Sequence, residues 1–521
     1  MNKKVQPVPT ALRWTLPSLA DVIFLVIVGR MLLQPGGSGL LQDADTGWHI
    51  RNGDWILAHR MVPGSDWMSC TGNGKAWFAW EWLFDVAASV VHRVAGLNGI
   101  CVMMTLLVAG TFALLFQFLQ RRSGHTLIAV VLTIMAAANC SSHLLARPHI
   151  FSWLFTLLFA EILYRHEEGS RRILWALPVL MVLWVNLHGG FVLGLALIMI
   201  FLMAAILERL RQSDPASSEK IKRLTVVGAL SGLATLATPY GYQLHQHIYQ
   251  FLSSRFLISS IEEYHSPDFH GGASACFEIF LLLTLICCLI GRRRMRTVDL
   301  IVLLFAAHAG LYAARNLPLS GILMALALSG ALEEVLLRAK QADSPALLRG
   351  ISNGIQGFSL DLSRLEKQLR GHAVIAVATV LVVFVALHGG RLGRWQLLKE
   401  EFSEAAFPAK AVDHLMAEGV HDRLFSTDAW SGYLLYRMAP GFQVMVDDRF
   451  DFYGEEYMLQ YASTVAGAPQ WSKMLNEYHA NRALLPPGFA LTTLLRQSSE
   501  WKVDYEDTQA VLFCRADGCA K

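Results

Sequence analysis

The chain has 521 residues, of which 54% are hydrophobic and only 16% are charged, and its formal net charge is +3. Soluble domains carry about 25% charged residues, and the mean hydropathy of this chain is +0.39. These values exclude a large water-soluble enzyme, an intrinsically disordered protein and a basic nucleic-acid binder. They indicate a polytopic membrane protein.

The apolar runs predict a mainly α-helical bundle of membrane spans. A helix needs about 20 mostly apolar residues to cross a bilayer, and the sequence contains about eleven runs near that length. The predicted spans are 16–33, 97–119, 126–141, 148–164, 173–187, 189–208, 222–238, 275–291, 298–314, 317–334 and 372–389.

Basic residues between the runs predict the orientation. Arginines and lysines concentrate in alternate loops, as at Arg121 and Arg122 or at Arg171 and Arg172. Loops rich in Lys and Arg stay in the cytoplasm. The N-terminus is therefore predicted to be cytoplasmic. The outer side then receives two large loops and the C-terminal part of the chain, at 34–96, at 239–274 and after 390.

A drop in hydrophobicity near residue 389 predicts two domains, a membrane domain at 1–389 and a soluble extracytoplasmic domain at 390–521. Short strands and amphipathic helices alternate in the second domain, which is typical of a small α/β sheet. We expect its strands near 424–427, 443–446, 501–505 and 510–514. Cys514 and Cys519 lie in its polar tail and either pair, if the tail is outside the cytoplasm, or stay free.

The most informative segment follows the first span. Two tryptophans among charged residues, Trp48 and Trp55, predict a helix that lies in the membrane interface. Asp43 and Asp45 stand at the entrance to this helix, where a carboxylate can accept a proton from a hydroxyl. Alternatively, one of the two aspartates caps the helix.

Two further groups of the first outer loop suggest a pocket. Asp45 and His49 have the i, i+4 spacing that could share a divalent metal ion, although two ligands do not define a metal site. Glu81 stands among four aromatic residues and needs a partner. It either pairs with Lys75 or Arg51 or lines a pocket.

Arginines at the outer ends of spans suggest an anion site. Arg147 and Arg315 each stand in a tight turn between apolar segments, and the guanidinium fork fits phosphate oxygens. The alternative is that both reach ordinary lipid headgroups. Asn186 and His188 lie in another outer turn, where His188 either joins this site or satisfies exposed carbonyl groups.

Acidic and histidine residues cluster in the second outer loop at Glu262, Glu263 and His265. They either hold polar groups of an acceptor or a cation, or belong to a solvated loop. In the C-terminal domain, the segment 446–449 (Val-Asp-Asp-Arg) follows a predicted strand. It is either a ligand site, as at the ends of strands in α/β sheets, or a structural turn in which Asp448 caps a helix and pairs with Arg449.

The layout of these motifs resembles the GT-C superfamily, polytopic membrane glycosyltransferases that take a sugar from a polyprenyl-phosphate carrier. It is also similar to a set of uncharacterised bacterial membrane proteins with an Asp-x-Asp-x-x-Trp-His opening. The matching positions are Asp43, Asp45, Trp48, His49, Gly53, Trp55 and Ile56, with the segments 184–189, 314–316 and 446–449. The Asp-Glu pair of some relatives is absent here.

The resemblance implies an inverting glycosyltransferase at the outer face of the bacterial inner membrane, with Asp43 or Asp45 as the catalytic base. It leaves a divalent metal open, since only some members need one. The implied partners are a polyprenyl-phosphate-linked sugar, membrane lipids and a glycan, lipid or protein acceptor, but no nucleic acid. Arg147, Arg315 and His188 would hold the donor phosphate, and His49, Glu81, Asn186, Glu262, Glu263 and His265 would line the substrate pocket. A transporter or lipid flippase and a non-catalytic assembly subunit are the alternatives.

Overall fold

The computed structural model of the chain describes residues 9–34, 37–211, 215–290, 295–341, 344–369, 371–419 and 423–517. Its first part is helical, as predicted. The helices are α1 Thr10–Thr15, α2 Leu19–Leu32, α3 Asp45–His59, α4 Trp82–Ser123, α5 Thr126–Asn139, α6 His149–Glu167, α7 Ala176–Leu187, α8 Phe191–Arg211, α9 Pro215–Ala234, α10 Gln243–Ser253, α11 Arg255–Ser260, α12 Gly272–Ile290, α13 Thr297–Tyr312, α14 Leu317–Ala339, α15 Ala346–Glu366 and α16 Ala373–Leu387. Short 3₁₀ turns occur at Ser141–His143, Ile173–Trp175, Glu262–Tyr264 and Ala314–Asn316.

The apolar helices make this a multi-pass membrane protein. Each of the eleven predicted runs overlaps a helix. By length and composition, four helical segments of the described chain are able to cross a membrane: Leu12–Leu32, Trp82–Ser123, Phe191–Arg211 and Ala314–Ala339. Five more apolar helices are shorter. The number of spans and their orientation stay predictions.

Helix α4 changes direction where it leaves the predicted first outer loop. Its backbone leaves the helical region at Gly96, with φ 60° and ψ −157°, a conformation that glycine adopts without the steric penalty of a side chain. The part from Trp82 to the break belongs to the loop predicted at 34–96, and the part after the break is the apolar span. The break therefore separates the segment that carries polar residues from the apolar segment that is predicted to span the membrane.

The C-terminal domain contains a small mixed sheet. Its elements are β1 Arg391–Leu392, β2 Trp395–Gln396, α17 Ala409–Ala417, β3 Leu424–Ser426, α18 Asp428–Met438, α19 Phe450–Tyr453, α20 Glu455–Val465, α21 Trp471–Glu477, β4 Arg482–Leu485, α22 Ala490–Gln497, β5 Trp501–Glu506 and β6 Val511–Arg515. The strand order is β3-β4-β6-β5, with β3 parallel to β4 and the other pairs antiparallel. Cys514 is disulfide-bonded, and Cys519 lies outside the described residues.

The predicted strand at 443–446 is wrong, because this segment does not join the sheet. It runs beside the first outer loop instead. Val444 forms an isolated parallel bridge with Ser69, and the amide of Cys70 donates to the carbonyl of Val444 at 2.9 Å. The strand that lies next to β3 in the sheet is β4, a buried strand that was not predicted from the sequence.

A buried ion-pair network strengthens this contact between the first outer loop and the C-terminal domain. The guanidinium group of Arg449 donates to both oxygens of Asp447, at 2.9 and 2.6 Å, and to Asp66 Oδ1 at 2.8 Å. Asp66 also accepts hydrogen bonds from the backbone and hydroxyl of Ser69. The network therefore fixes the segment 446–449 against the loop that follows α3.

Helix α3 crosses α18 at two facing glycines. A Cβ atom added at Gly47 would overlap with the carbonyl oxygen of Gly432, and one added at Gly432 would overlap with the carbonyl oxygen of Ala44. Only residues without side chains allow the two backbones to approach this closely. The crossing holds the N-terminal turn of α3, which carries Asp45, against the C-terminal domain.

The substitution Gly47→Ala tests this crossing. In an open helix position, replacing Gly with Ala favours the helix by about 1 kcal/mol, whereas overpacking costs about 1–3 kcal/mol. We therefore expect Gly47→Ala to lower the Tm of the detergent-purified protein. Gly354→Ala in α15 is the control, because its added Cβ meets no atom within 4 Å. An unchanged or higher Tm for Gly47→Ala would show that the glycine crossing does not hold the helices together.

Candidate active site

One arginine lies at the centre of the candidate site. Nη1 of Arg147 lies 2.8 Å from Asp43 Oδ2 and 3.4 Å from Glu263 Oε1, and Nη2 forms an ion pair with Asp45 and lies 3.9 Å from Asp448 Oδ2. The four carboxylates come from the first outer loop, the second outer loop and the C-terminal domain. We call these five residues the Arg147 cluster.

Local hydrogen bonds place the arginine and the two aspartates next to each other. The amide of Ala146 donates to the carbonyl of Leu40 at 2.9 Å, and the hydroxyl of Thr46 donates to the carbonyl of Ala146 at 3.0 Å. Asp43 Oδ1 accepts from the amide of Asp45 at 2.9 Å. One oxygen of Asp43 thus accepts from the first amide of α3, and the other binds Arg147. The N-cap position itself is occupied by Ala44, so neither aspartate is the capping residue.

The two aspartates of the first loop have different protonation behaviour. Burial raises the pKa of Asp43, but the charge of Arg147 and the hydrogen bonds from Asp45 outweigh burial, and the resulting pKa lies below its ordinary value. Burial raises the pKa of Asp45 well above its ordinary value, because Arg147 offsets it only in part. Asp43 is therefore ionised at neutral pH, whereas Asp45 retains a proton more readily.

Asp448 belongs to the Arg147 cluster, although it was not among the site residues predicted from the sequence. Burial raises its pKa to about 6, and it shares a hydrogen bond with Asp45. The expected pairing of Asp448 with Arg449 is wrong, since Arg449 binds Asp447. It does not cap the next helix either, because α19 has no side-chain cap. The signal was the Val-Asp-Asp-Arg segment, but only the fold shows which aspartate faces Arg147.

A second arginine approaches the cluster through Glu263. Nε of Arg315 lies 3.9 Å from Glu263 Oε2, and its guanidinium group lies 4.4 Å from the centre of the Tyr264 ring. Burial raises the pKa of Glu263, but the charges of Arg147 and Arg315 outweigh burial and lower it. Glu263 therefore joins the two arginines that the sequence placed at the outer ends of different spans.

Glu81, which precedes α4, lies between two histidines, and one of them, His49, is one turn along α3 from Asp45. Its Oε2 is 3.8 Å from His49 Nε2, and its Oε1 is 3.6 Å from His188 Nε2. Nδ1 of His188 accepts the amide proton of Gly190 at 3.0 Å, so the ring proton is on the nitrogen that faces Glu81. His49 Nδ1 is 2.5 Å from Asp85 Oδ1.

The partners expected for Glu81 from the sequence are wrong. Lys75 donates to the carbonyl of Phe452 at 2.5 Å, and Arg51 binds the carbonyl of Tyr436 and Asp54. Burial raises the pKa of Glu81 to about 7 and lowers the pKa of His49 to about 4. At neutral pH Glu81 is therefore close to half-protonated, whereas the His49 ring is neutral.

The remaining candidates lie outside these two groups. Asn186 donates both amide hydrogens to backbone carbonyls, of Val182 and Ala237 at 2.8 Å, and accepts from Trp82 Nε1 at 2.7 Å. Glu262 and His265 are exposed. Among the described residues, neither makes a hydrogen bond or ion pair to Arg147 or Arg315. Asn186 thus ties outer turns together, and His188 faces Glu81 rather than the arginines.

The Arg147 cluster has oxygen ligands of the type that Mg²⁺ and Mn²⁺ prefer. However, the guanidinium group occupies the space between the carboxylates in which a cation would lie. The group of three metal-ligand side chains close enough to share an ion, within the described ranges, is His414, Glu418 and Asp504 in the C-terminal domain. The sharing of an ion by Asp45 and His49, which their spacing alone allows, does not fit this arrangement, since Asp45 binds Arg147 and His49 faces Asp85 and Glu81.

Two solved structures have a similar fold over most of the chain. Against ArnT from Cupriavidus metallidurans bound to undecaprenyl phosphate, the TM-score is 0.50 at 15% identity, covering 96% of this chain and 97% of that one. Against the archaeal oligosaccharyltransferase AglB from Archaeoglobus fulgidus, in complex with an inhibitory peptide and a dolichol-phosphate, it is 0.54 at 11% identity, covering 90% and 69%. The chain therefore has a fold similar to that of these two proteins. No family model and no curated protein matches it.

The raised pKa of Glu81 predicts a pH-dependent stability. The folded state binds the proton more tightly than the unfolded chain, so this contribution is complete below about pH 4.5 and is lost as the pH rises through about 7. The difference between the two pKa values corresponds to about 3 kcal/mol.

We expect the Tm of Glu81→Gln to exceed that of the unmodified protein at pH 8 and to approach it at pH 5. Glu262→Gln, at an exposed position of the second outer loop, is the control. Its difference in Tm from the unmodified protein should not change between pH 5 and pH 8. A constant difference in Tm between pH 5 and pH 8 for Glu81→Gln would show that Glu81 does not change its protonation state in this range, which would contradict a pKa of about 7.

Proposed function

We propose that the chain is a membrane glycosyltransferase that moves a sugar from a polyprenyl-phosphate carrier to an acceptor hydroxyl. The reaction takes place at the outer face of a bacterial inner membrane, on which the C-terminal domain also lies. The observation that carries the proposal is the Arg147 cluster, in which a half-buried guanidinium group is held by carboxylates from three separate parts of a GT-C fold. Structures with this fold bind undecaprenyl phosphate and dolichol-phosphate.

Binding of the donor uses the two arginines. A guanidinium group matches phosphate oxygens in shape and charge, and Arg147 and Arg315 approach the same carboxylate, Glu263. A lipid-linked phosphate placed between them would compete with the carboxylates for Arg147. In this proposal the arginine moves from carboxylate to phosphate when the donor binds.

Movement of Arg147 activates the base. The charge of Arg147 is the largest of the effects that hold the pKa of Asp43 down, while burial acts in the opposite direction. When the phosphate takes the guanidinium group, the pKa of Asp43 rises toward the working pH, where a general base is most effective. Asp43 is also the more exposed of the two first-loop aspartates, at 22% against 6% for the side chains, and is therefore the one an acceptor reaches.

Sugar transfer is then a single displacement. The acceptor hydroxyl gives its proton to Asp43, its oxygen forms a bond to the anomeric carbon, and the bond from that carbon to the phosphate oxygen breaks. The electron pair leaves with the polyprenyl phosphate, which gains a negative charge that Arg147 and Arg315 stabilise. Attack opposite the leaving group inverts the anomeric carbon.

Removal of the base tests this mechanism. We expect Asp43→Asn to reduce kcat by at least about 100-fold, the lower end of the range for general-base catalysis. Asp45→Asn should reduce it by less than about tenfold, because Asp45 retains a proton more readily. The measurement is the release of free polyprenyl phosphate from a polyprenyl-phosphate sugar and an acceptor by the purified protein.

Asp268→Asn is the matched control, since this aspartate is exposed in the second outer loop. Full activity of Asp43→Asn would overturn the assignment of the base. A larger loss in Asp45→Asn than in Asp43→Asn would assign the base to Asp45. Absence of polyprenyl phosphate release by the unmodified protein, across a panel of donors, would favour the transporter or flippase.

Removal of the second arginine tests donor binding. A hydrogen bond to a charged group contributes about 1.5–3 kcal/mol, so Arg315→Gln should raise the KM for the lipid donor by about 10-fold or more. The KM for the acceptor should stay within about twofold. Arg255→Gln removes the same charge from an exposed position of the second outer loop and should leave both values unchanged. An unaltered donor KM in Arg315→Gln would remove Arg315 from the phosphate site.

A further inference from the structure

A surface pocket with an unusual concentration of positive charge lies far from the Arg147 cluster. It has a volume of about 430 Å³ and lies between the segment before α7 and the first half of α9. Four cationic side chains line it, together with one acid and two apolar residues. They are Arg171, Arg172, Lys222 and Arg223, then Glu219, then Trp175 and Val226.

The pocket is not neutralised by the protein. Nε of Arg223 forms an ion pair with Glu219 Oε1 at 2.8 Å. In the part of the chain that the structure describes, the other three cations, Arg171, Arg172 and Lys222, have no carboxylate within ion-pair distance. Four positive charges against one negative charge leave an excess of three, so the pocket is suited to an anion.

Helix α7 relates the pocket to the candidate site. The pocket adjoins the N-terminal end of α7, and His188, which faces Glu81, follows its C-terminal end. Twelve helical residues span about 18 Å, so the two sites lie at opposite ends of this helix. The positive-inside rule assigns the basic end to the cytoplasmic side, whose membrane leaflet carries anionic lipids.

An apolar surface continues from the pocket toward the opposite end of the two helices. On α7, Val179 and Leu183 are 66% and 46% exposed, and on α9, Leu230 and Leu233 are 41% and 63% exposed. The outer ends of α7 and α9 are tied by the hydrogen bond from Asn186 to the carbonyl of Ala237. The exposed apolar residues therefore lie on two neighbouring helices, between the cationic pocket and the opposite ends of these helices.

We propose that this pocket binds an anionic phospholipid of the cytoplasmic leaflet. The phosphate of the headgroup contacts Arg171, Arg172 and Lys222, and an acyl chain lies along the exposed apolar residues of α7 and α9. Trp175 lies at the boundary between headgroup and chain, where tryptophan is enriched in membrane proteins. The apolar surface distinguishes a lipid from a free phosphate, which would need only the cations. This site is independent of the proposed sugar transfer.

Native mass spectrometry of the full chain in neutral detergent tests the proposal. Phosphatidylglycerol or phosphatidylcholine is added at equal concentration, and we expect the phosphatidylglycerol adduct to be at least about fivefold more abundant. Arg171→Gln combined with Lys222→Gln should reduce this preference to less than half. The exchange Arg171→Lys with Lys222→Arg keeps the charge and should keep the preference.

The matched control removes two exposed cations from another helix end, Arg364→Gln with Lys367→Gln, and should retain the preference. Equal preference in the Arg171/Lys222 glutamine variant and the unmodified protein would overturn the site. If that variant does not fold, Lys222→Gln alone is measured against Lys367→Gln with the same criterion. Displacement of the lipid by millimolar glycerol phosphate would assign the pocket to a soluble anion and also overturn the proposal.

Discussion

The neutralisation of Arg147 is the interaction on which the candidate site depends. A guanidinium group that is largely removed from water is costly unless charged partners surround it. The partners of the half-buried Arg147 come from parts of the chain more than 400 residues apart, from Asp43 to Asp448. The carboxylates in turn need the arginine, since without it Asp43, Asp45 and Glu263 would repel one another. The cluster therefore joins both outer loops and the C-terminal domain around one charge. In the proposed function, a phosphate that enters this cluster has to take the arginine from its carboxylates, which would link donor binding to the protonation of the acids.

The C-terminal domain is part of the site rather than an appended module. It supplies Asp448 to the cluster, and it is held there by two contacts of different kinds. The facing glycines Gly47 and Gly432 set the distance between α3 and α18, and Arg449 binds both Asp447 and Asp66. Because both contacts adjoin α3, the position of Asp45 is determined by packing and by charge together.

Sequence reasoning succeeded where the signal is local. Apolar runs gave the helices, and the tryptophans and aspartates after the first span gave the position of α3. It failed where a role depends on distant residues. The segment 443–446 has the composition of a sheet strand, but it binds the first outer loop, whereas β4 lies in a segment too short to be assigned by periodicity. Asp447 and Asp448 are neighbours with different partners, and nothing in their order shows which one faces Arg147.

Glu81 illustrates the same limit for electrostatics. Its need for a partner follows from its apolar surroundings, but the two cations predicted as partners, Arg51 and Lys75, bind backbone carbonyls of the C-terminal domain. The partners that it has, His49 and His188, belong to α3 and to the turn after α7. The pKa of about 7 thus arises from the packing of helices that are separated in the chain.

The most direct test of the proposed movement of Arg147 is a structure of the protein with polyprenyl phosphate bound. If Arg147 moves from its carboxylates to the donor, its guanidinium group lies within 3.2 Å of a phosphate oxygen, a hydrogen-bonding distance, and no longer contacts Asp43. A structure in which the phosphate binds elsewhere, while Arg147 keeps all four carboxylates, would contradict it.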